Sequence, residues 1–444
     1  MTATESPVDH AYGTYAGDAA KAAFLGGSDQ VLSSEQVRAF VTEAINGLDV
    51  DGKNVCLIVP DATRTCPLPL LLGPVHQALQ GRVASMKAVI ALGTHQPMSE
   101  ESIARFFGFE PGHSEDVYPG LEILNHEHWD HEQIVDLGTV SAERVTELSG
   151  DRLHDVPMKV ELNRHAAEAD IDIVIGPIFP HEVVGISGGN KYFFPGLSVH
   201  NVIDISHWVG ALIGTHAMIG TRPVSPVRAL INEACQLIPA ERYALCFVVK
   251  SNSEVLHAVS FGVSEDAWAA CADVAVQTHV VYKEKPFQTV ISVMPEKYED
   301  IWTAAKGFYK LEPIVADGGL LVIYAPHITE VSVMHKGLLD IGYHTIDYFV
   351  KQWDRFKDHP WGELAHSTHL RGPGEYDAEA GVENDRVRVA LATGIPREIV
   401  ESVALEYIDP AALDLEQLAK DPDTFVEPHA GEVLYRLESE RPST

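Results

Sequence analysis

IDIVIGPIFPHEVVGISGGNKYFFPGLSVHNVIDISHW, residues 171–208, is the stretch from which the rest of the chain is read. Its opening, 171–178, is a short apolar run rich in β-branched residues, the pattern of a buried strand. The run gives way to Pro180-His181, a glycine-rich turn (Gly185, Gly188, Gly189), Lys191, Pro195-Gly196 and His207. Glycine lets backbone close on a ligand because no Cβ stands in the way. Lys191 is the only lysine or arginine between His181 and His207. Two readings stand at this point: a phosphate-binding turn beside a core histidine, or a lysine that carries a group which His207 coordinates.

Upstream, VCLIVP (55–60) closes in DATRTCP and leads to an apolar helical segment, 68–79. MKAVIAL (86–92) is followed by GTHQPMSEES, where Ser99 suits an N-cap and Glu100 and Glu101 suit the positive end of a helix. Further strands are expected at 121–124, 134–140 and 158–162. Downstream, the pattern predicts a helix over 226–238, strands at 243–249 and 255–261, and a long helix over 264–282. That helix ends in the charged, Pro-containing KEKPF (283–287). A second series follows: strands at 290–294 and 320–324, helices from about 300 and around 335–350, and an acidic, proline-punctuated and loosely packed tail. Strands alternating with helices predict an α/β fold. The expectation is two α/β domains with mixed and parallel sheets and an interdomain active-site cleft. Residues 1–284 would form the N-terminal cofactor-binding and catalytic domain, and 285–444 a C-terminal domain closing the site.

A chain of 444 residues is long enough for two cores or more. Its net charge of −32 excludes the basic footprint that nucleic acid or an anionic membrane requires. No apolar run reaches the roughly 18 residues of a membrane span, and the N-terminus lacks the features of an export signal. The five cysteines (Cys56, Cys66, Cys235, Cys246, Cys271) include no C-x-x-C pair, which points to free thiols and a cytoplasmic location.

Asp61, Arg64, His95 and His181 each follow a predicted strand, and open α/β sheets bind ligands beyond the carboxyl ends of their strands. Each has a plainer reading. Asp61 could cap a helix, Arg64 could be a surface cation, and either histidine could be a satisfied loop residue. Together they offer an arginine fork for a carboxylate and two bases that titrate near neutrality. Lys306, on the helix after the first strand of the second series, is either a solvated cation or a group directed into a cleft. A rival site exists in His126-Glu127-His128-Trp129-Asp130-His131, which has the H-x-H-x-D-H spacing of dinuclear zinc hydrolases. The βα units ahead of it do not suit that fold, and it leaves Lys191 unexplained.

DATR, GTH, the Asn125-His126 element, PHEVVGISGGNK, the Pro195-Gly196 after it and the histidine sixteen residues past Lys191 together resemble the nickel-dependent lactate racemases. The resemblance runs from about residue 51 to 325. It implies that Lys191 tethers a nickel-pincer nucleotide (pyridinium-3,5-bisthiocarboxylic acid mononucleotide), cradled by Gly188 and Gly189, with Asp61 shaping the site. It implies further that His207, rather than His200, ligates the nickel, and that His95 and His181 are the acid/base pair on opposite faces of the substrate. Arg64 and Lys306 would bind the carboxylate and oxygen of a small 2-hydroxy acid. Hydride would leave C2 for the cofactor and return to the other face. Cofactor-biosynthesis enzymes would be partners in maturation, and a homo-oligomer is compatible with the family. The chain departs from the pattern at Thr303, where the family commonly has glutamine, and at Ile186 and Tyr192-Phe193-Phe194. These departures put lactate itself in doubt as the substrate.

Overall fold

The computed structural model describes Tyr12 and residues 15–93, 95–251 and 253–441. Residues 1–11, 13 and 14, part of the N-terminal segment in which an export signal would lie, are outside the described residues. The chain divides into two compact units. The first takes the chain to Phe179 and adds 186–206 and 222–278; the second comprises 180–185, 207–221 and the chain from His279. A single cut at 284/285 assigns 180–185 and 207–221 to the first domain, whereas by their contacts both segments group with the second.

Strands β1 (Ala23–Gly26), β2 (Asn54–Val59), β3 (Ser85–Ile90) and β4 (Leu121–Asn125) precede a separate antiparallel ribbon, β5 (Ile134–Val140) with β6 (Met158–Asn163). Then come β7 (Ile171–Pro177), the two-residue strands β8 (Pro180–His181) and β9 (Gly185–Ile186), β10 (Glu241–Val249) and β11 (Leu256–Val263). The first unit is built on a seven-stranded sheet in the order β1-β11-β10-β7-β2-β3-β4. From β10 to β4 the strands are parallel; β11 and β1 extend the sheet antiparallel. Every residue of β7 is buried, so apart from Asp172 it reads as an apolar run rather than an alternating one. One face is covered by Val37, Val41 and Ile45 of helix Ser34–Asn46 and by Leu68, Leu71 and Leu72 of helix Leu68–Leu79. Ser33 and Gln36 close a capping box on the first of these helices. Ser99 caps helix Glu100–Phe107 as expected, accepting from Ser102 N at 3.2 Å. Between β7 and β2 the sheet reverses its direction of winding, and open α/β sheets place ligands at such a point.

The second unit contains β12 (Val280–Lys283), β13 (Phe287–Val293), β14 (Val315–Ala325), the hairpin β15 (Gly374–Asp377) and β16 (Val382–Asp385), then β17 (Arg388–Thr393), β18 (Glu406–Tyr407), β19 (Thr424–Glu427) and β20 (Leu434–Leu437). Five strands make an all-parallel sheet, β18-β17-β14-β13-β19, so both units are α/β.

Three sequence expectations are corrected here. Helix Ser264–Thr278 stops before the Val-Val-Tyr run, because those β-branched and aromatic residues form β12 and pair with β20. The helix expected over 335–350 is two short ones, Leu338–Ile341 and Ile346–Lys351, separated at Gly342, whose φ of +71° ends the first. The C-terminal tail is packed: β19 forms an edge of the five-stranded sheet, and Leu434 of β20 is fully buried. Among the described residues no helix is long and apolar enough to cross a membrane. All five cysteines are buried and none is in a disulfide.

Asp172 is fully buried in β7, in register with Cys56 of β2 and Arg242 of β10. Burial raises its pKa well above the carboxylate range, and the nearby Arg242 cation and Cys56 thiol offset this only in part. The folded state therefore holds a proton that the unfolded chain releases above a pH of about 4. Since the native state binds more protons, stability falls as pH rises, by about 1.4 kcal/mol per pH unit for one proton. Asp172→Asn removes that slope. Urea denaturation from pH 5 to 8 should show the wild type losing stability steadily relative to the variant; parallel profiles would mean that the carboxyl is ionised in the fold.

Candidate active site

Beyond β2 the chain turns through Asp61-Ala62-Thr63-Arg64, closed by Arg64 N–H donating to Asp61 O at 3.3 Å. One Asp61 carboxylate oxygen accepts from Thr63 N at 3.1 Å and from Thr63 Oγ1 at 2.6 Å. The other makes a short hydrogen bond with His95 Nδ1. A carboxylate accepts, so Nδ1 carries the proton and Nε2 is the nitrogen able to take another. Burial works to raise the Asp61 pKa, but the charge and hydrogen bond of His95, with Arg64 and Thr63 beside it, hold it well below the usual range. Asp61 is 4% exposed, so a buried anion fixes both the tautomer and the orientation of His95. The sequence had assigned Asp61 only to shaping the site. The Arg64 guanidinium lies 5.5 Å from the Phe179 ring centroid.

His95 arrives from the end of β3 through Gly93, whose φ of +57° makes the turn. Gly93 N–H donates to Gly196 O at 2.9 Å, which ties this loop to the segment after Lys191. Thr94 of the Gly-Thr-His element lies outside the described residues.

Lys191 sits half-buried on the 3₁₀ turn Gly189–Tyr192. Gly188 precedes that turn with φ +82°, and a Cβ there would overlap Ile178. The loop is held from beneath by residues the sequence reading did not single out. Arg228, 1% exposed, donates through Nη1 to Gly188 O at 2.9 Å and through Nη2 to Ile186 O. Its guanidinium lies 4.5 Å from the Trp268 ring centroid, and Trp268 Nε1 donates to Ser187 O at 2.8 Å. Burial lowers the Arg228 pKa to about 10, which leaves it charged at neutral pH. Asn190 Nδ2 donates to Asn232 Oδ1 at 3.1 Å and Glu265 Oε1 at 2.8 Å, while its own oxygen accepts from Arg242 at 3.1 Å. The available signal was Arg228 itself: a cation inside the apolar helical stretch PVRALINEAC must find acceptors if that face is buried.

His126 is used structurally. It is fully buried, with Nε2 donating to Ser198 O at 2.9 Å and Nδ1 accepting from Asn163 Nδ2 at 3.2 Å. Burial lowers its pKa to about 4. Asp130 is an N-cap, accepting from Glu132 N, and His131 begins the short turn it caps. Ligation by His126 would break one of its two bonds, and among the described residues no three His, Cys, Asp or Glu side chains are grouped to hold a metal. His128 packs edge-on against Trp129 and His200. The zinc-like spacing is therefore not assembled as a zinc site.

In the second unit, His181 is 4% exposed, its Nδ1 lying 3.1 Å from Val183 N and 3.2 Å from Glu182 Oε2. The Val183 amide donates to Nδ1, and the Glu182 carboxylate beside the ring would favour a positive charge on it. His207 is half-buried on helix His200–Ile213, one residue before Trp208, which stacks on Trp353 at 5.2 Å between centroids. Lys306 is buried, with Nζ donating to Thr303 O at 3.2 Å and lying 5.5 Å from the Tyr298 ring centroid. Thr303 Oγ1 donates to Asp300 Oδ1 at 2.8 Å, within the cap of its own helix. Thus Asp61, Arg64, His95 and the Lys191 loop belong to the first unit, and His181, His207, Thr303 and Lys306 to the second.

The lactate racemase N-terminal domain family matches residues 37–220. The lactate racemase of Thermoanaerobacterium thermosaccharolyticum is 27% identical over 291 residues, 64% of this chain and 62% of that protein. The lactate racemase of Lactiplantibacillus plantarum is 28% identical over 158 residues, 35% of this chain and 32% of that protein. The chain thus spans less than two thirds of the length of either curated relative. Among solved structures, a protein from Thermotoga maritima superposes with a TM-score of 0.85 at 30% identity, covering 93% of this chain and all of that one. The lactate racemase apoprotein from T. thermosaccharolyticum shares the fold, with a TM-score of 0.66 at 21% identity over 90% of this chain and 93% of that one.

Proposed function

The chain belongs to the lactate racemase family, and from that premise we propose that it is a racemase or epimerase inverting C2 of a 2-hydroxy acid with a lysine-tethered nickel-pincer nucleotide. The residues present fit that group. Lys191 offers an amine on a glycine turn rigidified from below, and His207 offers an imidazole, a donor suited to Ni(II). When bound, the nucleotide supplies an electrophilic centre for hydride, which the protein's own side chains lack.

The remaining work falls to those side chains. Arg64 presents a fork that grips the substrate carboxylate, and Lys306 adds a second cation toward its oxygens, with Thr303 beside it. His95, held by Asp61, takes the hydroxyl proton of one enantiomer through Nε2. His181 serves the mirror-related hydroxyl, and inversion needs both because the two enantiomers present that group on opposite sides. The observation that carries the proposal is the buried Asp61–His95 pair, which costs desolvation and is repaid by an oriented base.

Protein produced with and without the pincer-cofactor biosynthetic enzymes, then incubated with single-enantiomer 2-hydroxy acids, tests this. Loss of optical activity in the loaded protein only, with nickel and a mass adduct on Lys191, is the expected result. Zinc without an adduct would point to a hydrolase, and neither metal nor adduct to a phosphate or nucleotide binder; each would overturn the proposal.

A further inference from the structure

We infer that His216 closes a pH-sensitive clasp in the second unit: charged, it ties the turn Glu438–Glu440 to the segment that continues the helix of His207, and neutral, it lets that turn go. Helix His200–Ile213 turns at Gly214, φ +92°, into the short helix Thr215–Met218. That short helix is held at several points. A Cβ on Gly220, just beyond it, would lie 2.5 Å from Leu434 Cδ2 of β20. Arg436, also on β20, donates through Nη2 to His216 O at 2.9 Å and Ile219 O at 2.7 Å. Thr215 Oγ1 lies 2.6 Å from Nδ1 of the buried His369.

The His216 ring joins two carboxylates. Its Nδ1 lies 2.9 Å from Glu312 Oε2, and its Nε2 lies 3.2 Å from Glu440 Oε1. Carboxylates only accept, so both nitrogens carry hydrogen and the ring is an imidazolium. Three elements bring charge to it: Glu312 from the turn Glu312–Ile314, Arg436 from β20, and Glu440 from its own turn. Arg386 stands behind Glu312, its Nε donating to Glu312 Oε1 at 2.9 Å. The hydrogen bond to Glu312 outweighs burial and raises the His216 pKa from 6.5, helped by the Glu312 and Glu440 charges and opposed by Arg436. His369, reached through Thr215, is neutral, since burial lowers its pKa to about 4.

A raised pKa means that the clasp is at full strength below the ordinary histidine value and is lost as pH rises through the folded one. A neutral ring has one N–H to give. Glu312 is 3% exposed and cannot turn to water, so the hydrogen stays on Nδ1. Nε2 then points a lone pair at Glu440, whose side chain is 28% exposed and can swing into solvent. What still reaches the turn is the longer contact of Arg436 Nη1 with Glu440 Oε2, at 3.4 Å. The clasp is independent of the racemase reading; only its bearing on nickel rests on that reading, because His207 sits on the helix it secures.

Hydrogen–deuterium exchange of the full chain from about pH 6 to about pH 9, corrected for the intrinsic pH dependence of exchange, tests this. Protection of residues 215–220 should fall by up to about tenfold per pH unit, as for an opening that releases one proton, while β14 in the same unit holds steady. His216→Gln is neutral at every pH and should show weak protection without a slope. Glu440→Gln presents an amide that accepts from a protonated Nε2 and donates to a bare one, so it should at least halve the slope. In loaded enzyme, loss of nickel to a chelator should quicken with rising pH in the wild type and less so in Glu440→Gln. Histidine ligation alone works the other way, since acid protonates the ligand. Exchange that is flat with pH, or unmoved by both variants, overturns the clasp. Exchange that responds while nickel loss does not overturns its link to His207. A chain that takes up no nickel fails the racemase proposal, and the exchange still judges the clasp.

Discussion

Alanine at position 191 is expected to yield a folded protein with no mass adduct, no nickel and no racemisation. The turn that carries Lys191 is held by Arg228, Asn190 and Trp268, and Lys191 itself is half-buried. Removing that side chain should therefore change stability by no more than about 1 kcal/mol, the ordinary range for a substitution outside the core. Lys191→Arg should fail equally, because it keeps the charge and loses the amine nucleophile. Intact-mass spectrometry, metal analysis and a thermal melt of the two variants decide the matter. An adduct that persists on another lysine would refute the assignment, and a variant that melts far below the wild type would show that the loop depends on Lys191 after all.

Asp61→Asn is expected to cost about 10²–10⁴-fold in kcat/KM without removing any group that touches substrate. An amide can turn its N–H toward His95 Nδ1 and so favour the tautomer with the proton on Nε2, which silences the base. Losing the anion also lowers the His95 pKa, so the acid limb of the rate profile should move to lower pH. An unchanged limb would show that Asp61 does not govern His95. The histidines themselves give a sharper result. His95→Ala and His181→Ala should each block net racemisation, yet each should still oxidise one enantiomer to the bound 2-oxo acid, a different enantiomer in each variant. Single-turnover absorbance of the loaded enzyme with each pure enantiomer reads this directly. Equal failure of both variants with both enantiomers would remove the two-base scheme.

Much of this arrangement is legible in the sequence because local chemistry dictates it. Ile171–Pro177 is apolar but for Asp172 because it is a central strand of a parallel sheet, buried along its whole length, and Ser99 caps a helix whose first turn carries two carboxylates. The loops after β2, β3 and β7 are visible as polar residues that break apolar runs. What the sequence hides is long-range pairing. Nothing local to Asp61 says that its partner is His95, and nothing in Val280–Lys283 says that its strand partner is Leu434–Leu437, so the helix over 264–278 is naturally read too far. The His126 cluster misleads for the same reason. Its spacing imitates a ligand set, while the bonds that occupy it come from Asn163 and Ser198, distant in the chain.

The late partners of β12 and β13 bear on how the protein is made. On a ribosome adding about 5–20 residues per second, β13 is complete about 7–27 s before its edge partner β19 has been synthesised, and β12 waits longer for β20. During that interval a nascent chain exposes unpaired strand edges of the kind that template aggregation. Segments 180–185 and 207–221 leave the ribosome earlier still and cannot settle into the second unit until it forms. Yield in a heterologous host should therefore respond more to growth temperature and to chaperones that hold nascent chains than to the stability of the finished protein.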